Sequence, residues 1–156
     1  MTEHGCDTPE SRQFDFWVGE WDLSWPAEQT GGEAGSIATG SNRIGKLFGH
    51  CAVEENFATD DGSFVGRSLS VYNHQDGKWQ QTWVDNMGSY LLVTGKFDGT
   101  RMELRTERTE RDDETVLNRM IFRDIFHDSL LWEWQGSRDG GVTWNNLWTI
   151  TYQRRS

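Results

Sequence analysis

The sequence predicts an all-β protein: a closed up-and-down antiparallel β-barrel of about ten strands, with a short helical turn near its N-terminus. Three observations support this. The nine tryptophans fall mostly in groups spaced two or four residues apart, as positions on one face of a strand require. β-Branched residues surround several of these groups, and Gly and Asp-Gly turns interrupt the apolar runs. An open meander exposes two edges, so we expect its first and last strands to pair.

The N-terminal half contains the helical turn and five predicted strands. An aromatic run at residues 14–18 is compact enough for one turn of helix. Each strand that follows alternates in polarity and ends at a Gly-rich or Asp-containing turn. These strands cover residues 20–25, 36–45, 50–59, 64–73 and 78–85.

The C-terminal half contains five more predicted strands. Asp98-Gly99 is typical of a tight hairpin, and Asp139-Gly140-Gly141 marks the last turn. No helix-length periodic segment interrupts the series, which favours neighbours that pair in chain order. The predicted strands are residues 89–97, 101–109, 115–126, 129–138 and 142–154.

Length and charge restrict the classes of function. A chain of 156 residues suits a single domain, which we place at residues 13–156 after a flexible tail at residues 1–12. The net charge of −10 disfavours nucleic acid and anionic membranes, because both bind basic surfaces. The sequence shows neither a membrane helix nor a secretory signal, so we expect a cytoplasmic protein. Cys6 and Cys51 are expected to be free thiols.

The start of the first strand carries a short motif, Gly19-Glu20-Trp21, directly after the aromatic turn. It resembles the Gly-x-Trp signature of the calycins, the group that contains lipocalins and fatty-acid-binding proteins. The resemblance implies a lipocalin-like barrel in which Trp21 packs at the closed end beneath an arginine of the last strand. Arg154 is placed to supply that arginine, with Arg155 as the alternative. Such a cation–π pair contributes on the order of 1 kcal/mol.

Longer segments resemble DUF1579, a family of small bacterial β-barrel domains of unknown function. The similar segments are Phe-Asp-Phe-Trp-Val-Gly-Glu-Trp-Asp at residues 14–22, residues 66–73 and residues 83–88, followed by Gly95 and Asp98. The final third of the chain is similar mainly in its strand pattern. The resemblance implies a lipocalin-like barrel and no established reaction.

Strand parity predicts which side chains enter the barrel. With Trp21 facing inward, Leu23 and Trp25 share its face. The other predicted inward groups are Trp79, Gln81, Trp83 and Asp85; Leu130, Trp132 and Trp134; and Trp144, Trp148, Ile150, Tyr152 and Arg154. An aromatic lumen with a few polar groups is typical of a small-molecule site. A lumen filled by side chains is the alternative.

One adjacent pair of carboxylates bears on chemistry, because only one of the two can face inward. Glu55 shares its face with Val53 and Phe57, so we expect it inside and Glu54 outside. A buried carboxylate needs a partner. The candidate partners are Arg43, Arg67 and Arg119. Glu55 then either forms a structural ion pair or serves as a ligand anchor or general base.

The predicted ligand site combines aromatic, acidic and basic side chains from several strands. Its members are Arg43, Glu55, Tyr72, Trp83, Asp85, Arg119, Trp134 and Trp148. No metal or cofactor is expected, because the four histidines lie in the tail or near strand ends without ligand spacing. Haem is not expected either, since the last strand carries Tyr152 and no histidine. Nucleophile and phosphate-loop motifs are lacking.

Three classes of function follow from this sequence. The first is a binding module that holds a small apolar or aromatic molecule and is not an enzyme. The second is an isomerase or hydrolase that uses an inward carboxylate with Tyr72 or Asp85 as acid–base groups. The third is a filled barrel that acts through its surface, as a homodimer or with another partner. An internal cavity would separate the first two classes from the third.

Overall fold

Eleven strands follow one another in the computed structural model, which describes residues 5–156. Short 3-10 turns cover Glu10–Arg12, Asp15–Trp17 and Ala27–Thr30. The strands are β1 (Gly19–Pro26), β2 (Ile37–Leu47), β3 (Ala52–Thr59), β4 (Val65–Asn73), β5 (Lys78–Asp85), β6 (Tyr90–Phe97), β7 (Met102–Arg105), β8 (Thr109–Arg111), β9 (Glu114–Arg123), β10 (Ser129–Ser137) and β11 (Asn145–Arg154). The first four residues of the predicted tail, with His4, lie outside the described residues.

Ten of these strands close into an antiparallel barrel, which confirms the predicted fold class. Neighbours pair in chain order from β1 to β7, then β7 pairs with β9, β9 with β10 and β10 with β11. The barrel closes where β1 pairs with β11, with Trp21 opposite Arg154. No helix in residues 5–156 is long and apolar enough to cross a bilayer.

The strand predicted at residues 101–109 is interrupted in the structure. β7 ends at Arg105, and β8 forms a separate hairpin with β9 in which Thr109 lies opposite Val116. Asp112 and Asp113 make its turn with φ values of 50° and 65°. Aspartate tolerates this left-handed conformation better than most residues, so the turn forms before β9. β8 is therefore an addition to the ten-stranded barrel.

The N-terminal turns seal one end of the barrel, which we call the closed end. Phe14 and Trp17 are fully buried there, packed edge-on against Phe122 with ring centroids 5.3 and 5.0 Å away. The Trp79 indole donates a hydrogen bond to Gln13 Oε1 at 3.0 Å. These contacts fill the end of the lumen with aromatic rings.

Arg154 ties the closed end together. Its guanidinium lies 4.2 Å from the Trp21 ring centre and donates hydrogen bonds to the carbonyls of Phe16, Val18 and His127. Gly19 allows this approach, because a Cβ there would stand 2.2 Å from an Arg154 nitrogen. This is the contact expected from the Gly-x-Trp motif, and the glycine is what gives the arginine room.

The prediction of two free thiols is wrong. Cys6 and Cys51 form a disulfide that links the N-terminal segment to the turn between β2 and β3. Ser11, which is buried, donates a hydrogen bond to the Cys6 carbonyl and so helps to hold this segment. The pairing depends on how the N-terminal segment packs across the barrel, which the spacing of the cysteines does not reveal.

Candidate ligand-binding cavity

A cavity of about 150 Å³ occupies the barrel above the closed end. Nine of its fifteen lining residues are aromatic, and only one carries a charge. The lining residues are Trp17, Glu55, Phe57, Phe64, Gln81, Trp83, Leu91, Val93, Met120, Phe122, Trp132, Trp134, Trp148, Ile150 and Tyr152. The barrel is therefore not completely filled by its own side chains.

The cavity has a buried floor and a partly exposed rim. Trp17, Phe122 and Tyr152 at the floor are each no more than 2% exposed. Phe64, Trp83, Leu91, Trp134 and Trp148 are half-buried and lie toward the opposite, open end. A ligand would enter between these rim residues and meet the buried groups below.

Glu55 on β3 lines one wall of the cavity and is hydrogen-bonded to buried polar side chains from β2 and β4. Glu55 on β3 accepts hydrogen bonds from Asn42 Nδ2 at 2.6 Å and from Ser68 Oγ at 2.7 Å. All three side chains are at least nine-tenths buried. Burial raises the pKa of Glu55 to about 7, and the bonds from Asn42 and Ser68 partly oppose that rise. Glu55 therefore changes its charge near neutral pH.

Tyr152 on β11 completes this polar group from the other side of the barrel closure. Asn42 Nδ2 also donates a hydrogen bond to the Tyr152 hydroxyl oxygen at 2.9 Å. Burial raises the pKa of Tyr152 far above its usual range, and the nearby Glu55 charge is the second, smaller cause of the rise. Its hydroxyl therefore stays protonated at any pH at which the protein works.

Several buried polar atoms at the cavity are left without partners. Gln81 donates through Nε2 to Ser70 Oγ at 2.9 Å, but across residues 5–156 no group donates a hydrogen bond to its Oε1. Asn42 Oδ1 and Trp148 Nε1 also lack partners in this part of the chain. Buried polar groups in native proteins are nearly always hydrogen-bonded. Gln81 Oε1 and Trp148 Nε1, together with Trp17 Nε1, which is also unpartnered among the described residues, belong to lining residues and are consequently available to a molecule in the cavity, whereas Asn42 does not line it.

The opposite wall is aromatic and comes from β10 and β11. The rings of Trp132 and Trp134 are parallel with centroids 6.5 Å apart, and Trp148 stands at 90° to Trp132 at 5.5 Å. Across the rim, the Trp83 ring lies against Gly66, where a Cβ would come within 2.2 Å of it. The cavity thus has a polar side and an apolar side.

Four of the predicted site residues line the cavity: Glu55, Trp83, Trp134 and Trp148. Asp85 lies beside the rim, where its carboxylate accepts a hydrogen bond from Trp83 Nε1 at 2.7 Å. Burial would raise the pKa of Asp85, but hydrogen bonds from Trp83, Ser89 and Met87 outweigh it and lower the pKa. Asp85 is therefore a stable carboxylate anion, and its hydrogen bond holds the Trp83 indole in position.

The other predicted site residues lie away from the cavity. Tyr72 packs against Trp79 toward the closed end, with ring centroids 5.7 Å apart. Arg43 is exposed on the outer face of β2, next to the inward Asn42. Arg119 faces outward from β9, where it pairs with Glu103 at 2.6 Å. Parity accounts for both arginines, since their neighbours Asn42 and Met120 point inward.

The expected ion pair of Glu55 with an arginine is not formed. In the described part of the chain Glu55 bonds only to neutral side chains, and Arg43 and Arg67 are both exposed. Glu55 does face inward and Glu54 is partly exposed, as parity predicted. The buried carboxyl is stabilised by an amide and a hydroxyl and lacks a neighbouring cation.

A β-bulge corrects the predicted inward face of the last strand. Pairing passes from Trp134–Trp148 to Gln135–Asn146, which leaves Leu147 as an extra residue. A bulge of this kind reverses the facing of the residues before it. Trp144 accordingly lies outside the barrel, with the Arg119 guanidinium 4.0 Å from its ring centre.

The sequence prediction did not place Asn42, Ser68, Gln81 and Tyr152 in the site. Gln81 and Tyr152 were on predicted inward faces, so parity carried a usable signal for both. Asn42 and Ser68 are short polar residues in strands, where most such residues face solvent. Their role becomes visible only once Glu55 is seen between them.

Residues 7–154 match the family described as "Protein of unknown function (DUF1579)". The chain belongs to this family. The match covers nearly the whole barrel, including the last strands that resembled the family only in pattern. No curated protein matches the chain.

The histidines lie apart from the cavity. His127 is exposed beside Asp128 at the closed end, and His50 contacts Lys46 next to the turn between β2 and β3. His74 packs against Tyr72 near the same end. Within residues 5–156 no group of three His, Cys, Asp or Glu side chains is arranged to hold a metal ion.

Proposed function

We propose that this barrel binds a small, mostly apolar molecule about the size of one aromatic ring, and that Glu55 contacts its polar group. The observation that supports this is the cavity of about 150 Å³ with an aromatic wall and a buried carboxyl. Engineered apolar cavities of similar size bind benzene. The proposal assigns the chain a binding role and does not require a reaction.

The energetics of the cavity favour occupancy. An enclosed void of about 150 Å³ would destabilise a fold by roughly 3–4 kcal/mol at about 24 cal/mol per Å³, which is an upper bound here because the open end admits water. Leaving a buried polar atom such as Gln81 Oε1 unpaired adds about 1–3 kcal/mol. A ligand that fills the void and bonds to the free atoms removes both costs, which is a source of binding free energy.

The sharpest test blocks the cavity without touching its polar wall. Leu91 lines the cavity near the rim, whereas Leu92 on the same strand faces outward and is 45% exposed. Leu91→Trp should therefore abolish binding of one-ring compounds such as toluene and benzyl alcohol, and Leu92→Trp should preserve it. Ligand-observed NMR and tryptophan fluorescence report both results, and native mass spectrometry reveals any molecule that co-purifies.

Two outcomes would contradict the binding role. One is that no one-ring compound binds and a crystal structure shows the lumen filled by side chains. The other is that Leu91→Trp and Leu92→Trp bind the compounds equally well. Either result would favour the third class of function, a barrel that acts through its surface.

An enzyme remains the second candidate, because a buried carboxyl with a pKa of about 7 suits acid–base catalysis. Tyr72 and Asp85 do not line the cavity, so Tyr152, whose hydroxyl stays protonated, takes their place as a neighbouring hydrogen-bond donor. The proposed reaction class is an isomerisation or hydrolysis with Glu55 as the base. Substrate turnover that Glu55→Gln abolishes, while ligand affinity persists, would favour this candidate over a carrier.

We also propose a weak homodimer through the outer face of β4–β6, which we call the apolar face. Its exposed apolar side chains are Val65, Leu69, Val71, Val84, Tyr90 and Leu92. No outward residue of these three strands is acidic, although the chain has 25 acidic residues. Two bodies with a net charge of −10 repel each other least through such a face.

The size of the apolar face suits weak association. Three strands of eight or nine residues cover roughly 400 Å² in projection, whereas stable interfaces bury about 800 Å² per partner. Sedimentation over a range of concentrations should show a dimer that Leu92→Lys removes and Leu147→Lys, on β11, retains. A monomer at every concentration would contradict the homodimer.

The negative net charge also supports the proposal that neither nucleic acid nor a membrane is a partner.

The cytoplasmic location stays a prediction, and the disulfide provides its test. Disulfides are rare in reducing compartments, so the Cys6–Cys51 disulfide of the structure counts against this location. A chain that resides in the cytoplasm should be isolated with both cysteines reduced. Alkylation of freshly lysed cells followed by mass spectrometry counts the thiols on this chain. A fully oxidised Cys6–Cys51 pair under these conditions would contradict a cytoplasmic location.

A further inference from the structure

The polar wall of the cavity offers hydrogen-bond acceptors without a positive charge to meet them. Glu55 and Gln81 line the cavity, and Gln81 Oε1 has no donor in the described part of the chain. Asn42 Oδ1, beside Glu55, is also without a donor there. No lysine, arginine or histidine is among the fifteen lining residues. The wall therefore lacks positive charge, and the donors beside it, the Trp17 indole and the Tyr152 hydroxyl, are neutral.

We infer, on the basis of the proposed binding role, that the cavity selects a small amine: a protonated nitrogen on an aromatic or hydrocarbon body about one ring in size. The ammonium group would pair with the Glu55 carboxylate and donate a further hydrogen bond to Gln81 Oε1. A primary ammonium carries three donors and no acceptor. It therefore complements the Glu55 carboxylate, which lacks a cation, and Gln81 Oε1, which lacks a donor in the described part of the chain.

The aromatic wall supports the same ligand class. Trp132, Trp134 and Trp148 present indole rings in the upper cavity, and indole faces attract cations through their quadrupole. A carboxylate ligand would meet Glu55 with no cation to offset the repulsion between like charges. The Trp148 Nε1 donor near the rim is free to bond an acceptor at the outer end of the ligand.

Glu55 gains from such a ligand as well. A carboxylate that is buried without a cation is disfavoured, and that is why burial raises the pKa of Glu55. Tyr152 is the other titratable group that lines the cavity, and it stays protonated. A bound ammonium would lower the pKa of Glu55, so amine binding near pH 6 should release a proton from Glu55.

The test compares three probes of matched shape: benzylamine, benzyl alcohol and toluene. Isothermal titration calorimetry at pH 8 should give benzylamine a Kd about tenfold or more below that of benzyl alcohol, since charge-assisted hydrogen bonds are stronger than neutral ones. Glu55→Gln should remove this advantage and leave toluene binding within about threefold. Glu54→Gln is the matched control, because Glu54 points away from the lumen, and it should bind all three probes as wild type does.

The outcomes separate this inference from the binding role on which it rests. Equal affinity for benzylamine and benzyl alcohol, or an amine preference that survives Glu55→Gln, would overturn the amine selectivity and leave the binding role intact. Failure of all three probes to bind would overturn both. Titrations at pH 6 in buffers of different ionisation enthalpy should detect proton release with benzylamine and none with toluene. Equal proton exchange for the two probes would also contradict the inference.

Discussion

The two ends of the barrel differ in how completely their polar groups are hydrogen-bonded and how completely their interior is filled. At the closed end, Arg154 bonds to three backbone carbonyls, the Trp21 indole donates to the Trp17 carbonyl at 2.8 Å, and a disulfide holds the segment before them. At the open end a void remains, bordered by half-buried rings. This division teaches that stability is concentrated at one end, which leaves the other end free for a ligand.

The largest expected effect comes from removing the central ring of the closed end. Trp21 is fully buried and contacts both Arg154 and Tyr152. Trp21→Ala should lower the free energy of unfolding by ~3–5 kcal/mol, as for other large buried aromatics. Urea denaturation followed by circular dichroism measures the change.

The control for this variant is a tryptophan outside the barrel. Trp144→Ala removes a ring that is stacked under Arg119 on the outer surface, and it should cost about 1 kcal/mol. A Trp21→Ala protein that is no less stable than Trp144→Ala would show that the closed end is not the stability centre of the barrel.

The disulfide should have the next largest effect. It joins residues separated by 45 positions, and cross-linking a loop of this length stabilises a fold by up to about 4 kcal/mol in the chain-entropy account. The double variant Cys6→Ala/Cys51→Ala should therefore have a free energy of unfolding lower by about 2–4 kcal/mol. Its midpoint in a urea titration should fall accordingly.

The same double variant also tests how independent the two ends are. Its affinity for toluene should stay within about threefold of wild type under folding conditions, because neither cysteine lines the cavity. A large loss of affinity would mean that the closed end positions the cavity and does not simply stabilise the barrel.

Glu55 lowers the free energy of unfolding by a smaller amount than these changes do, and the amount depends on pH. Burial raises its pKa from 4.5 to about 7, so between these values the folded chain holds a proton that the unfolded chain has released. The stability that this group contributes is fully present below about pH 4.5 and is lost as pH rises through 7. The expected loss is at most about 3 kcal/mol.

Glu55→Gln isolates this dependence from that of the other carboxyl groups. The difference in unfolding free energy between wild type and variant should shift in favour of the variant from pH 5 to pH 8, and then level off. Chemical denaturation at several pH values measures it, with Glu54→Gln as the control. A constant difference across this range would contradict the raised pKa.

Strand alternation carried most of the information that the sequence held about this structure. It predicted the inward faces of β1, β5 and β10, since Trp21, Trp79 and Trp132 alternate with polar residues. It did not predict the bulge at Leu147, because an extra residue leaves no mark in composition. It also missed the disulfide, which depends on the packing of a segment with no strand pattern.

The hydrogen-bond partners of Glu55 could not be predicted from the sequence for a related reason. Parity placed Glu55 inside, but the choice of partner depended on which residue stood opposite across two ladders. Pairing puts Ile44 and Ser68 beside Glu55 and leaves Asn42 one inward position away. The register of β3 with β2 and β4 therefore decided that Glu55 bonds to an amide and a hydroxyl and not to the predicted arginine.

The smallest effect should come from the rim, at Gly66. A Cβ at this position would lie 2.2 Å from the Trp83 ring, so Gly66→Ala must displace the ring, which Asp85 holds through a hydrogen bond. Because Trp83 is half-buried, the ring can move at a cost of about 1–2 kcal/mol in stability. Displaced Trp83 either loses contact with a ligand or narrows the entrance, and both lower the affinity for benzyl alcohol. Gly45→Ala is the matched control, since nothing lies within 4 Å of a Cβ there. Unchanged affinity and an unchanged Trp83 indole NMR signal in Gly66→Ala would show that the rim does not govern access to the cavity.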